Sequence, residues 1–186
     1  MVNIIDLVPI IIGMPRGLKE TSGIVAISSR TIETAANTFT QEQIDLNLDP
    51  LNNEVFVVVA VDLNPQFPDM VPGSPSATQA CLSVTSRTTM GFIEDNNVLA
   101  SGSCAIQSKI AAAGDANSVS FTQTSLETPP AMLEYIGIIA TNDMFLSVKG
   151  TNNVGAKTVG ARVWGYRAKA DAAIYAALVQ SEVLSA

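Results

Sequence analysis

The sequence predicts a mainly β protein, an antiparallel β-sandwich preferably of jelly-roll type, with an apolar N-terminal arm and a short C-terminal α-helix. Segments rich in β-branched residues follow one another, turn residues separate them at short intervals, and only the last segment is Ala-rich. A length of 186 residues suits one domain. We expect an arm over 1–19, a sandwich over 20–168 and a helix over 169–186.

Periodicity and composition define the expected strands. Ile44, Leu46 and Leu48 alternate with polar residues, whereas 54–63 is an unbroken apolar run typical of a strand buried on both faces. With the turn at 49–53 between them, these two strands are expected to form a central hairpin. The predicted strands span 23–32, 38–48, 54–63, 80–88, 90–93, 98–110, 118–124, 132–140, 144–148 and 158–168.

Two further segments have a distinct composition. Residues 64–78 contain four prolines, which exclude a central strand, so we expect the longest loop there, exposed and suited to partner binding. Residues 171–184 are Ala-rich with Ile174 and Leu178 four residues apart, which predicts a helix. Because this helix is apolar nearly all round, it should be buried or shared with a neighbouring chain.

The N-terminal segment 1–14 is strongly apolar. Ile4, Leu7 and Ile11 would share a helical face, but Pro9 interrupts a helix there. The segment lacks the basic start of a signal peptide and is too short to span a bilayer. We therefore expect an arm that packs into a hydrophobic site on another chain, with insertion into its own core as the alternative.

Charge is scarce and unevenly distributed. Charged residues make up 15% of the chain, against about 25% in ordinary soluble domains, which favours assembly or a neutral polar surface. The net charge of −7 argues against general nucleic-acid binding. A basic stretch in the last part of the chain could instead meet an acidic neighbour or an inner nucleic acid, or form a solvated strand face. Its members are Lys149, Lys157, Arg162, Arg167 and Lys169.

The residue types needed for catalysis are poorly represented. The chain contains no histidine, which removes the commonest general base and transition-metal ligand. The remaining carboxylates lie at predicted turns, where acids usually stabilise the turn. They are Asp62, Asp69, Glu94, Asp95 and Asp143. We therefore expect that the chain is not an enzyme and that it has no catalytic residue and binds no cofactor.

Metal and disulfide sites are weakly indicated. The Asp62-x-Asn64 and Asp95-x-Asn97 pairs supply oxygen ligands, yet neither continues as a calcium-binding loop, so no metal site is predicted. Cys81 and Cys104 match no metal motif and are expected to be buried thiols. A disulfide between neighbouring strands is the alternative.

The final strand carries two aromatic residues on one face. Trp164 and Tyr166 are two positions apart, whereas Arg162 and Arg167 fall on opposite faces, so the strand does not form a simple base-stacking platform. The two rings are expected to anchor a core or a subunit interface. The complete set of interface candidates is Ile4, Leu7, Ile11, Trp164, Tyr166, Ile174 and Leu178.

The segment 135–171 resembles the closing part of virion structural proteins of marine viruses. The resemblance lies in the ATND and MFLSVKGT strand, an Asn/Gly turn, and a final strand that ends in YRAKAD before a short Ala-rich helix. It covers about a fifth of the chain. It implies a capsid, cement or minor shell protein and transfers no functional residue.

Sequence and resemblance together predict a virion structural protein, located in the virion, whose partners are copies of itself and other virion proteins. No small-molecule substrate is expected, and nucleic acid is a candidate partner only through the basic stretch. A cell-surface or filament subunit is one alternative. A carbohydrate-binding sandwich is the other, and it requires exposed aromatic rings in a groove.

Overall fold

The computed structural model describes residues 15–110, 118–126 and 133–184, and these contain ten strands and one α-helix. The predicted arm residues Ile4, Leu7 and Ile11 lie outside the described residues. The strands are β1 (Leu18–Glu20), β2 (Val25–Ile32), β3 (Thr40–Asp45), β4 (Glu54–Pro65), β5 (Ser76–Ser83), β6 (Val98–Ile110), β7 (Ser118–Leu126), β8 (Gly137–Ile139), β9 (Asp143–Thr151) and β10 (Thr158–Ala170), and the helix is α1 (Ala172–Leu184).

The strands form two packed antiparallel sheets. In sheet A, β10 pairs on one side with β2 and β1 in succession and on the other side with β4, which in turn pairs with β8. Sheet B has the order β3-β9-β5-β6-β7. The predicted mainly β sandwich with a short C-terminal helix is therefore confirmed.

Eight of the strands pair in a nested pattern. The outermost pair is β2 with β10, followed inward by β3 with β9, β4 with β8, and β5 with β6. Successive pairs lie alternately in sheet A and sheet B, and the innermost pair, β5 with β6, lies in sheet B. An antiparallel ribbon wrapped around a core in this way has the connectivity of a jelly roll.

The main core fills the space between the sheets. Its largest side chains are fully buried, and burial of each contributes roughly 1.5–3 kcal/mol relative to exposure. They come from strands of both sheets, so this core holds the two sheets together. They include Phe56, Leu82, Met144, Leu146, Val159 and Val163.

A second apolar cluster lies on the outer face of sheet A. There α1 packs across β4 and β10 through partly buried side chains. Val55 and Val57 point toward the helix while Phe56 and Val58 point into the main core, so β4 is buried on both faces from 55 to 58. The cause is the helix, which adds a third layer to the sandwich at this place. The prediction of such burial over all of 54–63 is wrong for the rest of the run, where Asp62 is exposed.

The predicted central hairpin is wrong, because β3 and β4 lie in different sheets. Leu46 and Leu48 are buried in the core as the chain crosses from sheet B to sheet A. Asp49 then caps the 3-10 turn Pro50–Asn52 by accepting the Leu51 N–H at 3.0 Å. A connection that crosses the core cannot also be the tight turn of a hairpin.

Other segments differ from the prediction in detail. The segment 90–93 lies in a loop instead of a strand, and Met90 is buried over the outer face of sheet B. The strand β5 begins at Ser76, inside the predicted loop, and the described part of 132–140, residues 133–140, contains only the short strand β8. The loop between β4 and β5 is exposed as expected, with Phe67 and Met70 both open to solvent.

Candidate interaction surface

The outer face of sheet A consists of two halves with different chemistry. We call the part beneath α1 the covered half; its residues are Leu18, Val55, Val57, Ile138, Ala140, Tyr166, Ala168 and Ala170. We call the part without a helix the open half; its outward-facing residues are Ala26, Ser28, Arg30, Ile32, Ala60, Asp62, Asn64, Gly160, Arg162 and Trp164. Both halves are built on β4 and β10.

A β-bulge in β4 marks the boundary between the halves. Trp164 lies opposite Ala60 and Gly165 lies opposite Val58, so Val59 is the extra residue. A Cβ atom at Gly165 would lie 2.4 Å from the Val57 carbonyl oxygen, closer than real Cβ contacts allow. The bulge therefore depends on a glycine that permits close approach of the two backbones.

A buried carboxylate holds α1 on the covered half. Glu182, near the end of the helix, accepts the backbone N–H groups of Ala140 at 2.8 Å and Thr141 at 2.9 Å. Ile174 and Leu178 pack half-buried against the chain's own sheet. Part of the apolar surface predicted to meet another chain is thus used inside the subunit.

The open half contains a shallow polar groove of about 320 Å³. Arg162 crosses it and donates from Nε to the Ser28 hydroxyl oxygen at 3.2 Å. Asp62, opposite Arg162 in the strand register, and Asn64 line the neighbouring strand. A Cβ atom added at Gly160 would have no contact within 4 Å, so the floor of the groove is open there.

The two predicted aromatic residues share the outer face of sheet A but have different surroundings. Tyr166 packs into the covered half, where burial, followed by the negative charge of Glu20, raises the pKa of its hydroxyl. Trp164 is half-buried at the boundary, and its neighbours on the adjacent strands are the small residues Ala26 and Ala60. Trp164 is therefore the ring available to a partner of the open half.

The basic stretch does not form one patch. The ammonium group of Lys157, which is 4% exposed, pairs with Asp69 at 2.6 Å, and Arg167 donates to the backbone oxygens of Leu46 and Asn47. Arg162 and Arg167 lie on opposite faces of β10, as predicted. Lys169 is exposed on the opposite face of β10 from its neighbours Ala168 and Ala170 in the covered half. Lys157 and Arg167 are thus occupied by structural contacts, and Arg162 is bound to Ser28 in the groove.

Carboxylates organise the loops at one end of the sandwich. Glu33 is buried and accepts the N–H groups of Gly150 at 2.5 Å and Lys157 at 2.7 Å. Asp69 accepts the N–H groups of Val154 and Gly155. Its hydrogen bond to Lys157 is the main cause that lowers the pKa of Asp69. This network fixes the loop from which β10 enters the open half.

The candidate catalytic and metal carboxylates are dispersed. Asp62 lies in the groove, Asp69 binds the β9–β10 loop, and Asp95 pairs with Arg87 at 2.9 Å while accepting the Phe92 N–H. Within the ranges that the structure describes, no group of three or more Cys, Asp or Glu side chains is arranged to hold a metal ion. The contacts of Asp69 and Asp95 are those of residues that stabilise turns.

The two cysteines lie on neighbouring strands but not opposite one another. Cys81 is opposite Ser101 and Cys104 is opposite Thr78. Both side chains are buried as thiols, which agrees with the expected state rather than with the disulfide alternative. Burial raises the pKa of Cys81 to about 11, so its thiol is protonated near neutral pH.

Several residues of this surface were not singled out by the sequence patterns. Ser28 and Gly160 line the groove, and Glu182 holds the helix, yet none belongs to a recognisable motif. Asn64 was considered only as a possible metal ligand. The alternation of polar Asp62 and Asn64 with apolar neighbours was the one usable signal for an exposed strand face.

Comparison with known proteins adds no family assignment. The described part of the chain contains no helix with the length and apolar character needed to cross a membrane. The chain matches no protein-family model and no curated protein sequence.

Proposed function

We propose that the chain is a virion structural protein, a capsid shell, cement or minor capsid subunit that acts through contacts with copies of itself and other shell proteins. The nested strand pairing carries the proposal, because jelly rolls of this connectivity build viral capsid domains and also lectin domains. Because one fold can serve many functions, the surface chemistry must also suit a shell subunit.

Exposed apolar side chains support a role in assembly. Leu51 is 94% exposed, Val154 is 82% exposed and Leu184, at the end of α1, is 75% exposed. Together with the low proportion of charged residues, such side chains are suited to burial against neighbouring chains. The apolar arm over 1–14 would add a further contact in this proposal.

The native mass of the purified protein tests the proposal. Light scattering at several concentrations is expected to give a mass well above the 19.5 kDa of one chain. Deletion of residues 1–14 is expected to reduce that mass while the β-sheet circular dichroism signal is retained. A control variant that keeps the full length and replaces Ile4, Leu7 and Ile11 by Ser should behave like the deletion. A monomer at every concentration would argue against a shell subunit.

A carbohydrate-binding module is the second candidate, favoured by the polar groove beside Trp164. Sugar sites commonly combine an aromatic ring with convergent polar groups, here Asp62, Asn64 and Arg162. In that case Trp164→Ala should weaken binding on a glycan array by at least about 10-fold, since a ring contact is lost. Leu51→Ala, at an exposed site in the 3-10 turn, is the matched control. Absence of binding to any glycan would exclude this candidate.

A further inference from the structure

The strand β2 forms an edge of sheet A. Among the described residues, its only strand partner is β10. The Glu33 N–H donates to the Lys157 carbonyl oxygen at 2.9 Å, which fixes the direction of the backbone groups along the strand. Because these directions alternate, Ala26, Ser28 and Arg30 present their N–H and C=O groups away from β10. With respect to the described residues, the strand thus has a row of backbone groups available for another strand.

The side chains of β2 do not protect this edge. Natural edge strands are commonly guarded by lysines, prolines or charged residues, but β2 contains Arg30 as its one charge and no proline. Ile24, just before the strand, is 64% exposed and Ile32 is 51% exposed. At the corresponding edge of sheet B, β3 carries the carboxylates of Glu42 and Asp45. Repulsion between carboxylates would oppose pairing of two β3 strands, whereas nothing similar opposes pairing of two β2 strands.

The sequence of β2 is complementary to itself in one antiparallel register. Two copies related by a two-fold axis perpendicular to the sheet place outward-facing residues opposite outward-facing residues. With Ser28 on the axis, Ile24 lies opposite Ile32 in both directions and Arg30 lies opposite Ala26. If the axis passed through Ile27 instead, Ile24 would lie opposite Arg30. If it passed through Ser29, Ile24 of one copy would no longer lie opposite Ile32 of the other.

We propose that a second copy of this chain binds through β2, so that sheet A continues across two subunits with Ser28 opposite Ser28. Backbone hydrogen bonds join the copies, and the two Ile24–Ile32 contacts select the register. The open half then extends across both subunits, since β2 forms one of its borders. This inference rests on the self-association that the proposed function requires, and it specifies where that association occurs.

A disulfide across the two-fold axis tests the register. Directly opposed residues of a hydrogen-bonded antiparallel pair have Cα atoms about 5.5 Å apart, within the roughly 4.4–6.8 Å that a disulfide spans. Ser28→Cys should therefore give a covalent dimer under mild oxidation. Ile32→Cys is the matched control on the same face of the same strand, and it should not cross-link to itself because it lies opposite Ile24. Since Cys81 and Cys104 are buried, the introduced thiol reacts alone.

The cross-linking results distinguish a failure of pairing through β2 from a failure of self-association itself. Suppose the wild-type protein self-associates but the Ser28→Cys variant cross-links no better than the Ile32→Cys variant. That result would overturn the pairing through β2 and leave self-association intact. A wild-type protein that is monomeric at every concentration would overturn both. Of the two single variants, only Ser28→Cys is expected to cross-link. The double variant Ile24→Cys/Ile32→Cys is also expected to cross-link, because these two positions lie opposite each other.

A second pair of variants tests the apolar contacts without a covalent bond. The double variant Ile24→Lys/Ile32→Lys places like charges opposite each other and should raise the dimer dissociation constant by at least about 10-fold. The control Leu51→Lys/Val154→Lys makes the same exchange at two exposed sites away from β2 and should leave the constant unchanged. Sedimentation equilibrium measures both. An equal effect in the two variants would contradict pairing through β2.

Discussion

The covered and open halves of sheet A are built on the same two strands, yet they have opposite surface chemistry. In the covered half, β4 is apolar on both faces from Val55 to Val58, because the core lies on one side and α1 on the other. In the open half, beyond the bulge, the same strand alternates between buried Leu63 and exposed Asp62 and Asn64. The pattern within one strand therefore reports how many layers cover it at each point.

The difference also shows which half of the face a helix can cover. A helix over the open half would bury Asp62, Asn64 and Arg162, and burying polar groups without partners is costly. The bulge and Gly165 separate the part of the face that a helix can cover from the part that solvent or a partner must cover. Three substitutions should sharpen or break this distinction.

The same charge placed in each half should have very different effects. Val57→Asp introduces a carboxylate beneath α1, where it has no charged partner, and should lower the free energy of unfolding by about 3–5 kcal/mol. Asn64→Asp adds a carboxylate to the same strand and the same face in the open half, and should change stability by about 0.5 kcal/mol or less. Urea denaturation measures both. Equal losses would contradict the division of the face into two halves.

Removal of the carboxylate that holds the helix should have an intermediate effect. Glu182→Ala leaves the N–H groups of Ala140 and Thr141 buried without acceptors, which should cost about 2–3 kcal/mol. Gln180→Ala, at an exposed position two residues earlier in α1, is the matched control and should be nearly neutral. Faster proteolysis within α1 of Glu182→Ala alone would show that the helix has loosened. Unchanged stability of Glu182→Ala would mean that packing alone holds it.

The smallest effect is expected at the loop network that borders the open half. The pKa of Asp69 is lowered by Lys157, so the ionised carboxylate stabilises the folded state above the unfolded pKa. Because Asp69 is 36% exposed, we discount the contribution to about 1 kcal/mol or less. The stability difference between wild type and Asp69→Asn should be complete at neutral pH and disappear as pH falls through the lowered pKa.

The control for this effect is Lys157→Met, which removes the ammonium group that causes the shift and keeps a long apolar side chain. Titration of Asp69 by NMR should then show a higher pKa than in the wild type. A pKa of Asp69 that is the same in both proteins would mean that the backbone N–H groups of Val154 and Gly155, rather than Lys157, lower it.

The fold was predictable from sequence to the level of its strands but not of all their neighbours. Periodicity located β6 with its exact bounds and β10 nearly so, because both have strong alternation between clear turns. The hairpin of 38–48 with 54–63 was predicted wrongly, since adjacency in sequence says nothing about which sheet the second strand joins. The connection through Leu46 and Leu48 looks like strand and turn, and only the packed core shows that it crosses between sheets.

The candidate surface was predictable in part. The aromatic residues Trp164 and Tyr166 were correctly assigned to one face, because a two-residue spacing fixes the side in any strand. The roles of Ser28 and Glu182 depend on partners far away in the sequence, namely Arg162 and the Ala140–Thr141 backbone. No local pattern encodes such contacts. The predictions about the arm residues Ile4, Leu7 and Ile11 remain predictions.

The nested pairing also has a consequence for the order of folding. The strand β2 lies near the start of the chain, and its partner β10 is the last strand to be synthesised, so this pair closes only when nearly the whole chain is available. Contacts between such distant segments make folding slow. During that wait, β2 lacks the strand that it pairs with in the folded subunit, and a neighbouring nascent chain can compete for the place of β10. Rapid, crowded synthesis should therefore favour mispaired chains, whereas slow synthesis should favour the native subunit.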